Sequence, residues 1–348
     1  MNLLLESTIK ISLVILVGLA ATLLLRRRSA AVRHWVLATT IGCAAAIPLL
    51  TAVAPSWSVG FPGSSPVNPN PPEPAVTIGY VENVDVRAPD PSRAGRQARG
   101  LSGRPTMAQL MVAAWVMGAA INLAGLFAGL GRLTRLASRA RELGAGRWTE
   151  LSRSLAAAHG LQGRVRILQG DHPALLVTWG LLAPKVLLPP AATEWPDDRM
   201  RVVLAHELSH IARRDWAVQI GAEILRAVYW FNPLLWLACR RLRQESEHAC
   251  DDAVVNLGVE ARDYATHLLE LARSLAKHRR QFVPASAIAA RPSSLHMRIS
   301  AMLSANLDRH PLTRFARVAT AIVLLAVTIP IAGFVCFVEE ALGLIEEP

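Results

Sequence analysis

Residues 202–215 read VVLAHELSHIARRD and contain the pattern H-E-x-x-H, which begins at His206 and ends at His210. On a helix, side chains four positions apart share a face, so both imidazoles can hold one metal ion. Glu207 beside them can take a proton from a metal-bound water. A helix with two ordinary histidines is the alternative, because so short a pattern also arises by chance. The motif favours zinc-dependent hydrolysis, and a third ligand has to decide.

A second motif offers that ligand, because residues 243–252 read RQESEHACDD on a predicted helix. Catalytic zinc takes three protein ligands and keeps one position open for water. Glu247 and Asp251 share one face of this helix, so Glu247 can bind the metal while Asp251 orients one of the histidines. Glu245 and His248 are rival ligands, and a solvated acidic face is the alternative.

The chain has 348 residues, a formal net charge of +11 and a mean hydropathy of +0.31. An ordinary soluble domain is also about half apolar, so the clustering of apolar residues is more informative than their fraction. The arginines lie beside apolar segments, which argues against direct nucleic-acid binding. The four cysteines lack disulfide or C-x-x-C spacing, which excludes a secreted disulfide scaffold.

Four uncharged segments approach or exceed the roughly 20 residues that a helix needs to cross a bilayer. Buried core helices are the alternative. The first segment is short, but Lys10 can snorkel to the interface and extend it. Three arginines, Arg26 to Arg28, follow this segment and no small-residue cleavage site precedes them, so it reads as an uncleaved anchor and not as a signal peptide. The predicted spans are residues 11–25, 35–57, 105–131 and 318–338.

The basic flanks of these spans predict an orientation in the inner (cytoplasmic) membrane, because arginine and lysine concentrate on the cytoplasmic side. The N-terminus is then outside, residues 132–317 form a cytoplasmic domain, and residues 58–104 and 339–348 are extracytoplasmic. Five arginines in the outer loop disagree mildly. That loop is rich in proline, which favours a solvated linker over a small sensor.

The cytoplasmic segment has the pattern of an α+β domain. Helices are predicted over residues 132–160 and 198–213, and strands over 164–168, 175–178 and 185–188. The aromatic run from Tyr229 to Trp236 is too short to span a membrane. We expect the Asn232-Pro233 turn to divide it into two helices, which lie at the interface or dock against the membrane helices. Plain helix packing is the alternative.

Three blocks, HELSHIARRD, WFNPLLW and ESEHACDDAVV, resemble the membrane zinc peptidases of the BlaR/MecR antirepressor type, and GLLAPKVLLP before them is similar to the same family. The resemblance extends over essentially the whole chain. It implies an α-helical membrane protein with four transmembrane helices and a cytoplasmic α+β, gluzincin-like zinc peptidase domain inserted between helices three and four. It also implies Zn²⁺ on His206, His210 and Glu247, with Glu207 as the general base.

The resemblance further implies a protein substrate, with a winged-helix repressor as proteolytic target or downstream partner. The best-known members carry an extracellular penicillin-binding sensor after the fourth span, whereas this sequence ends at Pro348, so β-lactam sensing is not expected. The expected surroundings are the lipid bilayer, and a homodimer is one candidate assembly. Tyr229 and His248 are candidates for stabilising the oxyanion.

The leading hypothesis is a regulatory endopeptidase that cleaves a cytosolic transcriptional repressor or itself. For self-cleavage, the proline-broken stretch of residues 281–294 is the candidate site, and an uncut linker is the alternative. A membrane quality-control protease and a non-catalytic signal transducer that keeps the peptidase fold are the competing hypotheses. The intact H-E-x-x-H pattern with Glu247 argues against the transducer, because a scaffold does not need a general base.

Overall fold

The computed structural model describes residues 2–53, 106–161, 163, 165–173, 175–279, 292–304 and 307–333. The predicted loop 58–104 and tail 339–348 lie outside the described residues, as does most of the 281–294 stretch. The helices are α1 Asn2–Leu24, α2 Ala30–Val53, α3 Met107–Arg139, α4 Arg147–Ala158, α5 Asp197–Arg213, α6 Asp215–Val228, α7 Pro233–Asn256, α8 Ala261–Arg279, α9 Pro292–Leu303 and α10 Arg314–Gly333. The strands are β1 Arg141–Glu142, β2 Arg166–Gln169, β3 Val177–Trp179 and β4 Lys185–Leu188, and a 3-10 helix covers Pro190–Glu194.

Four of these helices, α1, α2, α3 and α10, are long and apolar enough to cross a membrane. The prediction of a mostly helical protein with four candidate spans is therefore confirmed. The Lys10 side chain is buried against neighbouring helices, with 5% of its surface exposed. Its Nζ atom donates to the carbonyl of Ala332 on α10 at 2.7 Å and pairs with Glu6 one turn earlier.

The strands form one mixed sheet in the order β1-β2-β4-β3. The central strands β2 and β4 are parallel, and the two outer pairings are antiparallel. The strand predicted over residues 185–188 is confirmed, and its neighbours lie one or two residues later than predicted. Val186, Leu187 and Leu188 are at most 1% exposed, so β4 lies in the core. The β3 strand lies at the edge of the described sheet.

The helix predicted over residues 132–160 is wrong in its middle. Helix α3 ends at Arg139, and the chain then extends so that Arg141 and Glu142 pair with Gln169 and Leu168 of β2. Helix α4 begins only at Arg147, after two glycines in the sequence GAG. Strand pairing with β2 stabilises this segment more than its helical spacing does, which periodicity alone does not indicate.

Helix α5 is the centre of the domain core. Val203, Leu204 and Leu208 are at most 5% exposed and belong to a cluster that also includes Val186 of β4. The helix ends at Arg214, which adopts a left-handed conformation with φ of 58° and donates its backbone N–H to the carbonyls of His210 and Ile211. Because the chain turns there, the next helix starts beside the last turn of α5.

The aromatic run joins α6 to α7 and contacts α1 and α3, two of the candidate membrane helices. The Asn232 side chain accepts from the Leu234 N–H at 3.0 Å and donates to Ser12 of α1 at 2.9 Å. Pro233 follows as the first residue of α7, where its fixed φ suits a helix start. A Cβ atom at Gly118 of α3 would overlap the Trp230 ring, so glycine permits this close approach.

Candidate metal centre

Three predicted ligands converge between α5 and α7. The Nε2 atom of His206 lies 3.6 Å from Oε2 of Glu247, and the Nε2 atom of His210 lies 3.8 Å from Oε1 of the same carboxylate. The two imidazole rings are nearly perpendicular, with an interplanar angle of 84°. The side chains of both histidines are less than one-fifth exposed, and Glu247 is about one-third exposed. The centre is thus sheltered, with its carboxylate nearest the solvent.

The Nδ1 atom of His210 lies 2.8 Å from Oδ2 of Asp215, the first residue of α6. Burial raises the pKa of Asp215, but its contacts with His210 and Arg213 outweigh this and hold the pKa well below its usual range. Ser246 of α7 also donates to this carboxylate, at 2.7 Å. An ionised Asp215 accepts a hydrogen bond from the Nδ1–H of His210, which leaves Nε2 directed at Glu247.

A second chain of hydrogen bonds holds His206. Its Nδ1 atom lies 3.0 Å from the Tyr264 hydroxyl, which donates to Oδ1 of Asp251 at 2.6 Å. Asp251 is itself 3.3 Å from His206 Nδ1 and only 2% exposed. Burial raises the pKa of Asp251, but Arg298 and His206 lower it well below the usual range. Each histidine therefore has a buried carboxylate near its Nδ1 atom, Asp215 for His210 and Asp251 for His206.

Glu207 lies on the same helix as both histidines, and its side chain reaches the sheet. The Thr178 hydroxyl at the centre of β3 donates to Oε2 of Glu207 at 2.5 Å. Glu207 is 8% exposed, so this hydrogen bond lies in a sheltered environment. The edge strand is thereby tied to the carboxylate that the sequence predicts to be the general base.

The donor set fits a metal ion. The separations of 3.6 and 3.8 Å run to different oxygens of Glu247, so each imidazole faces its own carboxylate oxygen. Each is close to the roughly 3.3–3.6 Å expected for two atoms about 2.0–2.2 Å from one ion at a tetrahedral angle. Both imidazoles have Nδ1 engaged by oxygen acceptors, which is the usual support of a histidine ligand. Two nitrogens and a carboxylate oxygen are ligands that zinc accepts.

Cys250 gives a second donor set that the sequence reasoning did not consider. One ligand atom from each of His206, His210 and Cys250 lies within 4.8 Å of the others. The Cys250 sulfur is also 3.1 Å from Nη2 of Arg213, and the residue is fully buried. The structure thus offers two candidates for the third ligand, a carboxylate and a thiol.

The remaining candidate residues lie elsewhere. Glu245 pairs with Arg33 of α2 at 2.8 Å, so its carboxylate faces a membrane helix. The Tyr229 hydroxyl is 3.3 Å from Ser7 of α1, within the cluster that packs the helices together. His248 lies on α7 next to Glu247, where burial lowers its pKa. The described contacts join none of the three to His206 or His210.

Sequence reasoning missed several residues of the centre. Asp215 is the last residue of the 202–215 stretch, five residues after His210, and this spacing could have indicated a partner of that histidine. Cys250 follows Glu247 by three residues and so shares its helix face. Thr178, Tyr264 and Arg298 come from other elements, and the sequence around them carries no motif that indicates the site.

The comparison with known protein families matches residues 2–302 to the family described as BlaR1 peptidase M56. The chain belongs to this family. Among curated relatives of this M56 member, the Regulatory protein BlaR1 of Bacillus licheniformis is 38% identical over 79 residues. The Methicillin resistance mecR1 protein of Staphylococcus aureus is 26% identical over 88 residues. These matches cover 23% and 25% of the present chain, and 13% and 14% of the length of the two relatives.

The ionisation of the histidines predicts how metal binding by this M56 member depends on pH. Burial lowers the pKa of His206, but the Cys250 sulfur and hydrogen bonds with Asp251 and Glu247 outweigh this and raise it to about 9. Below that pH the metal must displace a proton from the ring. We therefore expect the apparent zinc affinity to rise about tenfold per pH unit for each displaced proton between pH 7 and about 9.

Competition titrations with a chelator of known pH dependence would measure this slope on the full-length protein. The same titration on a water-soluble zinc protein whose free histidines titrate near 6.5 is the control, since its affinity should be flat over this range. A flat affinity in both proteins would contradict the prediction.

Proposed function

We propose that this chain is a zinc-dependent membrane endopeptidase that acts in regulatory signalling. The observation that carries the proposal is the convergence of His206, His210 and Glu247 around one position, with Glu207 on the same helix. Membership of the M56 family supports peptidase chemistry. The four apolar helices support a membrane location.

Glu207 is the proposed general base. It accepts a proton from the water that attacks the peptide carbonyl and returns this proton to the leaving amine. The Thr178 hydroxyl holds one oxygen of Glu207, so the other remains for the proton. When bound, zinc supplies Lewis acidity, which polarises the scissile carbonyl and lowers the pKa of water.

The substrate is proposed to be an extended peptide segment added to the edge of the sheet. Within the described sheet, β3 pairs with β4 on one side only. A peptide can form main-chain hydrogen bonds with such an edge strand. Because Thr178 contacts Glu207, a peptide bound along β3 would lie beside the general base.

The proposed orientation has the N-terminus outside and the peptidase in the cytoplasm. Three arginines follow α1 directly, and a further group stands at the end of α3. Clusters of this kind favour the cytoplasmic side. A cytoplasmic peptidase would encounter soluble repressors, so a winged-helix repressor is the substrate that we propose first, and the chain itself is the second.

Contacts between α2 and the metal centre support a regulatory role over quality control. Arg33 of α2 pairs with Glu245 of α7 at 2.8 Å, and Nε2 of His34 lies 3.5 Å from Oδ1 of Asp215. Because Asp215 holds His210, a shift of α2 would reach a metal ligand through one residue. The names of the matched relatives, a regulatory protein and a methicillin-resistance protein, are consistent with regulation.

The experiment that tests this proposal compares new protein N-termini in cells that carry the wild type or Glu207→Ala, in cytosol and membranes. We expect a short list of termini that disappear in the variant and that includes a DNA-binding repressor. Termini from many membrane proteins would indicate quality control instead. An identical set in both strains under every stress tested would contradict the peptidase assignment.

A further inference from the structure

Arg298 of α9 lies between two carboxylates of the metal centre. Its Nε and Nη2 atoms donate to Oδ2 and Oδ1 of Asp251 at 2.8 and 2.6 Å. Its Nη1 atom lies 2.8 Å from Oε2 of Glu247. A guanidinium offers several donors in a fixed plane, so one side chain can hold two carboxylates in a defined relative position.

The contacts of Arg298 are largely buried, so their loss should disturb the metal centre strongly. The Arg298 side chain is 11% exposed and that of Asp251 only 2%. Removal of one partner from a buried ion pair leaves an uncompensated charge, which disturbs a site more than the loss of a surface pair does. Asp251 would keep its hydrogen bond from Tyr264 but would lose both donors of the guanidinium.

Arg298 reaches two metal ligands by different routes. It contacts Glu247 directly. It reaches His206 through Asp251, because the Tyr264 hydroxyl bridges that carboxylate to Nδ1 of the imidazole. The other oxygen of Glu247, Oε1, faces His210. The guanidinium thus fixes the carboxylate while leaving an oxygen directed at the second histidine.

The residue is supplied by a separate element. Helix α9 packs against α7 and α8. Beyond its end, Arg309 lies 3.3 Å from Asp252 of α7 and donates to the carbonyl of Met302 at 2.6 Å. The segment that carries Arg298 is therefore anchored on the helix that carries Glu247, by contacts other than those of Arg298.

We propose that Arg298 is a positioning residue for the metal ligands and that high-affinity zinc binding requires α9 to be docked on α7. This inference rests on the proposed zinc centre. If Arg298 instead competed with the metal for Glu247, its removal would tighten zinc binding.

The test measures zinc affinity by chelator competition on the full-length protein in detergent micelles. Outer-shell partners of metal ligands typically contribute about 10–100-fold in affinity, so Arg298→Ala is expected to weaken binding by at least about tenfold. Arg298→Lys keeps the positive charge but not the planar set of donors, and should recover part of the lost zinc affinity. Arg273→Ala removes an exposed arginine of α8 without a described contact to a ligand, and should bind zinc like the wild type.

Absorption spectra of the Co²⁺-loaded proteins give a second readout, since a displaced Glu247 alters the cobalt bands. Equal affinities and spectra for wild type and Arg298→Ala would overturn the inference, as would tighter binding in Arg298→Ala or an equal loss in Arg273→Ala. Arg298→Lys decides the question if the alanine variant fails to fold. A wild-type protein that binds no zinc, like a His206→Ala control, would refute the proposed zinc centre itself.

Discussion

Replacement of Glu207 by glutamine is expected to abolish peptide hydrolysis while zinc remains bound. Glutamine keeps the size of the side chain and an oxygen that can accept from Thr178, but it cannot accept a proton from water. General base catalysis typically contributes about 10²–10⁴-fold to the rate. Initial rates on the substrate identified from the N-terminal comparison, together with zinc content by elemental analysis, would measure both effects.

Asp198→Asn is the matched control, because Asp198 is an exposed carboxylate in the first turn of the same helix. This variant should hydrolyse the substrate and bind zinc like the wild type. If Glu207→Gln retained the wild-type rate, Glu207 would not be the base. If it lost zinc as well as activity, its role would lie in holding the centre together.

The helix that carries His206 and His210 was predictable because its signals are local. Apolar residues at helical spacing, together with the motif, predicted residues 198–213, and the helix covers Asp197–Arg213. The turn at Asn232-Pro233 was predictable for the same reason, since both residue types terminate or start helices through their own backbone and side-chain chemistry. Glu247 was favoured by one further step, the helix face that it shares with Asp251, while Glu245 and His248 stayed rival ligands.

Arg298 and Tyr264 were not predictable, because their role depends on how separate helices pack. Arg298 is 47 positions from Asp251, and Tyr264 is 58 positions from His206. A lone arginine or tyrosine on an amphipathic helix is no different in sequence from one on a solvated face. The extended segment at Arg141 was not predicted for the same reason, since its pairing with β2 is a tertiary contact.

Replacement of Glu247 by glutamine is expected to weaken zinc binding by more than 100-fold, whereas Cys250→Ser should stay within about tenfold of the wild type. A direct ligand contributes more than the 10–100-fold typical of outer-shell partners. Glu247 presents one oxygen toward Nε2 of each histidine, while the Cys250 thiol is engaged by Arg213. Chelator competition would give both affinities, and Cys239→Ser, a buried thiol outside the centre, is the control.

The cobalt-loaded proteins distinguish the two donor sets independently of affinity. A thiolate ligand adds an intense sulfur-to-metal charge-transfer band, which a carboxylate ligand does not. We expect this band to be absent from the wild type. Its presence, together with its loss in Cys250→Ser, would make the thiol the third ligand. Glu247, which pairs with Arg298 at 2.8 Å, would then not be a metal ligand, and it would be an alternative to Glu207 as the general base.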